Sequence, residues 1–139
     1  MILDAVAFAK GPWWLIGSAA VALHAADVIV ANDVDLLMTE EDAATMLKSL
    51  GIPPLCKPPH AIFRSTVLGL WNDPPLPVEI MGGFECGTNG VWKRVWPRSR
   101  QRIPLGNRAV FAPSADELRT MLVEFGRPKD LERARMLEV

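Results

Sequence analysis

Residues 13–38 read WWLIGSAAVALHAADVIVANDVDLLM and decide the fold of this 139-residue chain. The apolar run at residues 13–16 predicts a short buried strand that closes at Gly17. Residues 19–26 are rich in Ala and Leu and predict a helix, with Ser18 as its N-cap. The stretch therefore opens as a strand, a tight Gly-Ser turn and a helix.

The end of the same stretch predicts a second strand that carries two carboxylates. Residues 33–38 alternate polar and apolar at the start and then become fully apolar. Side chains alternate faces along a strand, so Asp33 and Asp35 are expected on one side and Val34 on the other. Two carboxylates on one face can hold a hard divalent ion. The alternative is that these two residues only cap the adjoining turn.

A third carboxylate, Glu79, lies in the later apolar segment 78–81, which predicts another strand. Burying this charge without a metal ion or a partner would be costly. We therefore expect Glu79 to complete a metal site with Asp33 and Asp35. The alternative is an edge-strand residue that faces water.

The Gly17-Ser18 turn has the chemistry of a phosphate cradle. Backbone N–H groups and the helix dipole favour anions at the start of a helix. Gly17 would let a triphosphate approach the backbone, and the Ser18 hydroxyl would be a further donor. Simple capping by Ser18 is an alternative that is compatible with this role.

The other segments predict a single mixed domain over residues 1–139. Helices are expected at residues 1–10, 39–51, 114–126 and from 129 onward, the second and third opened by capping boxes and closed by glycines. Strands are expected at 61–71, 78–81, 91–96 and 108–111, with a proline-rich loop at 52–59 and a turn at 72–75. These elements indicate the α+β class, with a mixed β-sheet flanked by helices.

The order of these motifs resembles the nucleotidyltransferase superfamily. The family pattern is a Gly-Ser or Gly-Gly turn, a helix, a strand with two alternating acidic residues, and a later strand with a third. Here it reads Leu15-Ile16-Gly17-Ser18, then Asp33-Val34-Asp35-Leu36-Leu37, then Val78-Glu79-Ile80. The resemblance implies a polymerase-β-like nucleotidyltransferase fold of the minimal, stand-alone type.

The resemblance also implies cofactors and residue roles. The donor would be a nucleoside triphosphate such as ATP, bound with two Mg²⁺ ions, for which Mn²⁺ could substitute. In the superfamily the residues matching Asp33 and Asp35 hold both ions, and the residue matching Glu79 holds the second and helps to deprotonate the acceptor. In small members a Lys-Asp pair opens a closing helix beside the nucleotide, which Lys129-Asp130 match.

The implied activity is transfer of a nucleoside monophosphate to an acceptor hydroxyl. The acceptor stays open between a small molecule, a protein and an RNA. Larger members of the superfamily carry an extra domain that grips the base or acceptor, for which 139 residues leave little room. The alternative is a non-catalytic module of the same fold that binds a nucleotide, a protein partner or a second copy of itself.

Charge is uneven along a chain that is near neutral overall. Residues 1–85 hold four basic and ten acidic side chains, a net of −6, while residues 86–139 hold eleven and six, a net of +5. We expect the two halves to meet across a polar surface. Bulk charge does not point to a nucleic-acid or membrane partner.

Basic residues concentrate between Glu85 and Asp116, where no acidic residue intervenes. The run comprises Lys93, Arg94, Arg98, Arg100, Arg102 and Arg108, interleaved with Trp92 and Trp96. A solvated hairpin with core tryptophans is the favoured interpretation, and an RNA-binding groove or a surface for an acidic protein is the alternative. Arg64 follows an apolar pair and is expected either to reach a phosphate or to pair with an acidic side chain.

Cellular setting is indicated by the cysteines and by one long apolar stretch. Cys56 and Cys86 have neither metal-site spacing nor the density of a disulfide scaffold, so a reducing, cytoplasmic location is expected. Residues 13–31 are apolar enough to suggest a membrane span, but His24 and Asp27 interrupt them. We interpret the stretch as buried core, with His24 a satisfied core residue rather than a ligand.

Overall fold

A computed structural model of the protein describes residues 2–25, 31–56 and 60–138. The strands are β1 (Trp14–Ile16), β2 (Val34–Met38), β3 (Phe63–Arg64), β4 (Val67–Trp71), β5 (Val78–Gly82), β6 (Glu85–Cys86), β7 (Lys93–Arg94), β8 (Gln101–Leu105) and β9 (Arg108–Ala112). The α-helices are α1 (Ile2–Ala5), α2 (Gly17–His24), α3 (Glu40–Leu50), α4 (Ala115–Phe125) and α5 (Pro128–Met136). The chain therefore has the mixed α+β composition that the sequence predicts.

The central sheet has four strands in the order β1-β2-β5-β4. The β2 and β5 strands are parallel, and the other two pairings are antiparallel. In this register Asp35 pairs with Glu79 on one side and with Ile16 on the other. The small sheet β3-β6-β7 and the hairpin β8-β9 complete the β structure of the described residues.

The two faces of the central sheet pack against different helices. On one face Leu36 and Ile80 are fully buried in a cluster that includes Ala43, Met46 and Leu47 of α3. On the opposite face Leu37 and Met81 join residues of α2, α4 and α5. Side chains alternate along a strand, so Asp35 and Glu79 lie on the face of Leu37 and Met81. The carboxylates thus face the layer formed by α2, α4 and α5.

The ends of α3 and α4 follow the predicted glycine stop signals, whereas α1 ends at Ala5 and not at residue 10, and α2 at His24 and not at residue 26. Both predicted capping boxes are only half formed. The Thr39 hydroxyl accepts from the Asp42 N–H at 3.0 Å, and Gly51 ends α3 in the left-handed conformation. The Asp42 carboxylate, however, accepts from the N–H groups of Lys10 and Gly11 instead of closing the box. Asp42 therefore ties the segment after α1 to the start of α3.

The capping box predicted for Ser114 and Glu117 is incomplete for the same reason. Ser114 caps α4 by accepting from the Glu117 N–H at 3.2 Å. The Glu117 carboxylate accepts from the N–H groups of Arg98 and Ser99, each at 2.8 Å, and from the Ser99 hydroxyl. These bonds lower the pKa of Glu117 against the opposing effect of burial. Glu117 thus anchors the basic run to α4.

Several local predictions are wrong. Ser18 is not the N-cap of α2, because the helix begins at Gly17, two residues earlier than predicted; its N-cap is Ile16, and no side chain caps it. The strand expected at 61–71 is two short strands in different sheets, separated by Ser65 and Thr66. Only Lys93–Arg94 of the strand expected at 91–96 forms. The sequence analysis also missed β6 and β8, the latter because Pro104 argues against a strand.

The basic run is divided: Arg102 and Arg108 lie on the β8–β9 hairpin, whereas Lys93 and Arg94 form β7 of another sheet. Arg98, Arg102 and Arg108 are exposed, and Arg108 pairs with Asp4 at 3.0 Å. The Arg100 guanidinium lies 3.6 Å from the centre of the Phe111 ring, and its Nε donates to the Trp13 carbonyl at 3.1 Å. This arrangement matches the solvated hairpin better than an open groove for nucleic acid.

The apolar stretch at residues 13–31 contributes β1 and α2. Residues 26–30, which include Asp27, lie outside the described residues. Residues 57–59 of the expected loop lie outside them as well. His24 Nε2 donates to the Pro113 carbonyl at 2.8 Å, which confirms the satisfied histidine. None of the described helices is long and apolar enough to cross a membrane.

Candidate active site

A cavity of about 720 Å³ opens over the sheet face that carries the carboxylates. The residues singled out from the sequence all line it: Gly17, Ser18, Asp33, Asp35, Arg64, Glu79 and Lys129. They come from five places in the chain: the β1–α2 junction, β2 and the residue before it, β3, β5 and α5. The fold therefore gathers distant residues around one cavity, and their chemical roles stay predictions.

Asp35 and Glu79 are brought together by the parallel pairing of β2 with β5. They occupy the same register position, so their side chains project from neighbouring strands toward the cavity. Asp33 lies one residue before β2 begins and is exposed, whereas Asp35 is partly buried. Val34 and Leu36, which flank Asp35, are buried on the opposite face and hold the strand in place.

The surroundings of Asp35 disfavour its charged form. Burial has the largest effect, followed by repulsion from the carboxylates of Glu79 and Asp33, and together they raise the pKa of Asp35 to about 7. The positive charges of Arg127 and Arg133 act in the opposite direction but do not offset the increase. The site thus concentrates negative charge that a bound cation would neutralise.

This shifted pKa predicts how stability depends on pH in the metal-free protein. The folded-state pKa of Asp35 is raised from an ordinary 3.8 to about 7, so protonation favours the folded state. The contribution is fully present below about pH 4 and is lost as pH rises through about 7. The Asp35→Asn variant, which cannot ionise there, should therefore gain stability over wild type across this window.

The gain should not exceed roughly 4 kcal/mol, because each pKa unit corresponds to about 1.4 kcal/mol. Urea unfolding of both proteins in a chelating buffer, at several pH values between 4 and 8, measures the difference. A difference that is constant over this range would contradict the assigned pKa.

The donor set fits a hard divalent cation that is also bound by its substrate. Carboxylate oxygens are the ligands that Mg²⁺ prefers, and proteins usually supply only one or two of them beside phosphate oxygens and water. Among the described residues, no three His, Cys, Asp or Glu side chains are arranged to enclose an ion by themselves. Asp33, Asp35 and Glu79 all line the cavity, and their joint binding of an ion stays a prediction.

The Gly17-Ser18 turn lies directly beside Asp35, because Ile16 pairs with Asp35 across β1 and β2. Gly17 has a φ of 67°, a conformation that favours glycine. A Cβ atom at this position would lie 2.5 Å from Asp35 Oδ2. Ser18 is almost completely buried in the first turn of α2. The glycine is thus required by the approach of the carboxylate as well as by its backbone conformation.

Arg64 pairs with an acidic side chain, which is one of the two roles predicted for it. Its Nε donates to Glu85 Oε1 at 2.8 Å, and its guanidinium lies 4.2 Å from the centre of the Trp92 ring. It also lines the cavity, so a phosphate contact would compete with both interactions. Lys129 is exposed at the start of α5 and lines the same cavity.

Lys129 was predicted from the sequence at this end of the chain, but two arginines and three aromatic residues of the cavity were not. Arg127 and Arg133 line the cavity and act electrostatically on Asp35. Phe63, Phe84 and Phe125 line its apolar part. The spacing of Arg127 and Asp130 at the start of a helix was an available signal for the arginine. The aromatic residues carried no local signal, because they come from three separate elements.

Comparison with solved structures identifies the fold. No known family matches at the sequence level, and no curated relative does. The structure resembles a "putative nucleotidyltransferase" (TM1012) from Thermotoga maritima, with a TM-score of 0.75, 21% identity, and coverage of 96% of this chain and 86% of that one.

It also resembles the antibiotic-resistance factor ANT(2'')-Ia in two structures. The solution structure gives a TM-score of 0.61 at 14% identity, with coverage of 98% of this chain and 78% of that one. The complex with adenylyl-2''-tobramycin gives a TM-score of 0.57 at 14% identity, with coverage of 98% and 83%. The chain thus has the nucleotidyltransferase fold, and the predicted fold is confirmed.

Proposed function

We propose that this protein is a metal-dependent nucleotidyltransferase that moves a nucleoside monophosphate from a nucleoside triphosphate to an acceptor hydroxyl. The observation that carries the proposal is the convergence of Asp35, Glu79 and the Gly17-Ser18 turn in one cavity of a nucleotidyltransferase fold. Structural helices and strands alone would not require two adjacent, partly buried carboxylates in surroundings that raise the pKa of Asp35 to about 7.

Different residues of the cavity would bind the phosphates, hold the metal ion and accept the proton. Backbone N–H groups at the start of α2 would bind phosphate oxygens, with Lys129 as a further cation. Asp33, Asp35 and Glu79 would hold Mg²⁺ or Mn²⁺, which when bound would neutralise the phosphate charge. Glu79 is also the proposed acceptor of the proton that leaves the hydroxyl. In-line attack would form the new P–O bond as the bond to pyrophosphate breaks.

A single assay tests the proposal. The protein is incubated with Mg²⁺ or Mn²⁺, each labelled nucleoside triphosphate in turn, and pools of small molecules, proteins and RNA. We expect pyrophosphate release and transfer of label to one pool, and no reaction when the metal is chelated. Binding of nucleotide without label transfer or pyrophosphate release in any pool would favour a non-catalytic nucleotide-binding module.

A further inference from the structure

Arg127 is held in an unusual position for a cavity-lining arginine. Its Nε donates to Asp130 Oδ2 at 2.6 Å and its Nη2 to Oδ1 at 3.0 Å, so two of its donors are committed to one carboxylate. Asp130 is only 1% exposed, which makes this a rigid, partly buried pair. Arg127 is therefore poorly placed to clamp a phosphate with the same edge of its guanidinium.

The Arg127 guanidinium also lies over an aromatic ring. The guanidinium carbon lies 4.7 Å from the centre of the Phe63 ring. The Arg127 side chain is nevertheless 32% exposed and lines the cavity. Arg127 thus presents a cation, held over an aromatic ring and by Asp130, at the wall of the cavity.

Phe63 is itself packed against other rings. Its ring meets Phe125 edge-on at 5.0 Å and Phe84 at 5.5 Å, both of which are buried, and it also contacts the His60 ring at 5.2 Å. Aromatic contacts of this kind restrict the ring to one orientation. Phe63 and Arg127 therefore form a preorganised two-layer plate, which lowers the entropy lost when a planar ligand stacks on it.

The position of the plate suits one part of a nucleotide. The charge of Arg127 acts on Asp35, so the plate lies within electrostatic reach of the carboxylates. A planar base connected to phosphates that bind at Asp35 and Gly17 would extend into the same cavity. Guanidinium planes stack well on nucleobases because each has a flat, polarisable face.

We infer that the Phe63–Arg127 plate binds the nucleobase of the donor by stacking, while the phosphates bind at the carboxylates and the Gly17-Ser18 turn. The inference rests on the nucleoside triphosphate donor of the proposed function. It assigns to Arg127 a contact with the base and none with the phosphates. Recognition by stacking also predicts weak discrimination among bases, since every base has a π-face.

The test compares a nucleotide with a probe that has no base. Calorimetry in Ca²⁺ measures the affinity of wild type for the tightest-binding nucleoside triphosphate and for inorganic tripolyphosphate. Arg127→Lys keeps the charge but loses the plane. We expect it to weaken nucleotide binding about tenfold, the lower range for one stacked base, and to leave tripolyphosphate binding within about twofold.

Two further variants control for structure and charge. Arg135→Lys makes the same change at an exposed position of α5 outside the cavity and should alter neither affinity. Phe63→Leu leaves every charge in place, so a selective loss of nucleotide affinity in this variant cannot arise from electrostatics. Urea unfolding establishes that each variant is folded at the assay temperature.

The inference is overturned if Arg127→Lys weakens both probes equally, because Arg127 would then contact phosphate, or if it weakens neither. It is also overturned if wild type binds tripolyphosphate as tightly as the nucleotide. That result would leave the proposed transfer reaction intact. Conversely, selective loss of nucleotide binding in a protein that transfers no label would support the plate and reject the reaction.

Discussion

Asp35→Asn should abolish nucleotidyl transfer and magnesium-dependent nucleotide binding while the protein remains folded. The substitution keeps the shape of the side chain but removes the carboxylate that lies between Glu79 and Gly17. Stabilisation of transferring phosphate by a divalent ion amounts to several kcal/mol, so we expect a loss in kcat/KM of at least about a thousandfold. Steady-state assays of pyrophosphate release measure it.

The comparison needs a variant that makes the same change elsewhere. Asp73 is exposed in the turn before β5 and does not line the cavity, so Asp73→Asn should retain wild-type activity. Magnesium titration by calorimetry should show that Asp35→Asn loses metal-dependent nucleotide binding and that Asp73→Asn does not. Unchanged metal dependence in Asp35→Asn would remove Asp35 from the metal site.

Function and stability are expected to oppose each other at Asp35. The burial and repulsion that raise its pKa to about 7 are unfavourable in the metal-free protein. The same concentration of negative charge is what a bound divalent cation would neutralise. A single substitution that stabilises the fold and removes activity is the pattern of a site shaped by function rather than by packing.

The order of motifs in the sequence was sufficient to predict the cluster of acidic residues. Asp35 and Glu79 each interrupt an apolar strand, and a buried carboxylate requires a cation or hydrogen-bond donors, so a shared site could be expected before the register was known. The Gly17-Ser18 turn could likewise be placed beside them. The fold class followed from the same strands and helices.

Other features depend on tertiary contacts that leave no local pattern. Asp42 and Glu117 have the spacing of capping-box residues, yet their carboxylates bind backbone N–H groups of distant segments. Arg127 reaches the cavity only because α5 packs back across the sheet face. The structure also gives a different reason for a glycine at position 17. The sequence predicted that the space is needed by a triphosphate, but the atom nearest to an added Cβ belongs to Asp35.

Gly17→Ala should remove activity by displacing Asp35, and Gly51→Ala separates this effect from backbone strain. Gly17 and Gly51 have nearly the same φ, 67° and 69°, so alanine at either position adopts the left-handed conformation at a cost of about 1–2 kcal/mol. The added Cβ at Gly17 meets Asp35 Oδ2 at 2.5 Å, whereas nothing lies within 4 Å of a Cβ at Gly51.

We therefore expect Gly17→Ala to lose at least as much stability as Gly51→Ala, and only Gly17→Ala to lose activity. Misplacing a reacting group by about 1 Å can cost on the order of a hundredfold in rate, which sets the expected loss in kcat/KM. The shifted carboxylate should also weaken metal-dependent nucleotide binding, because Asp35 would no longer be aligned with Glu79. Urea unfolding of both variants measures their stability, and pyrophosphate release measures their activity. Equal activity of the two variants would show that the approach of Gly17 to Asp35 has no part in the reaction.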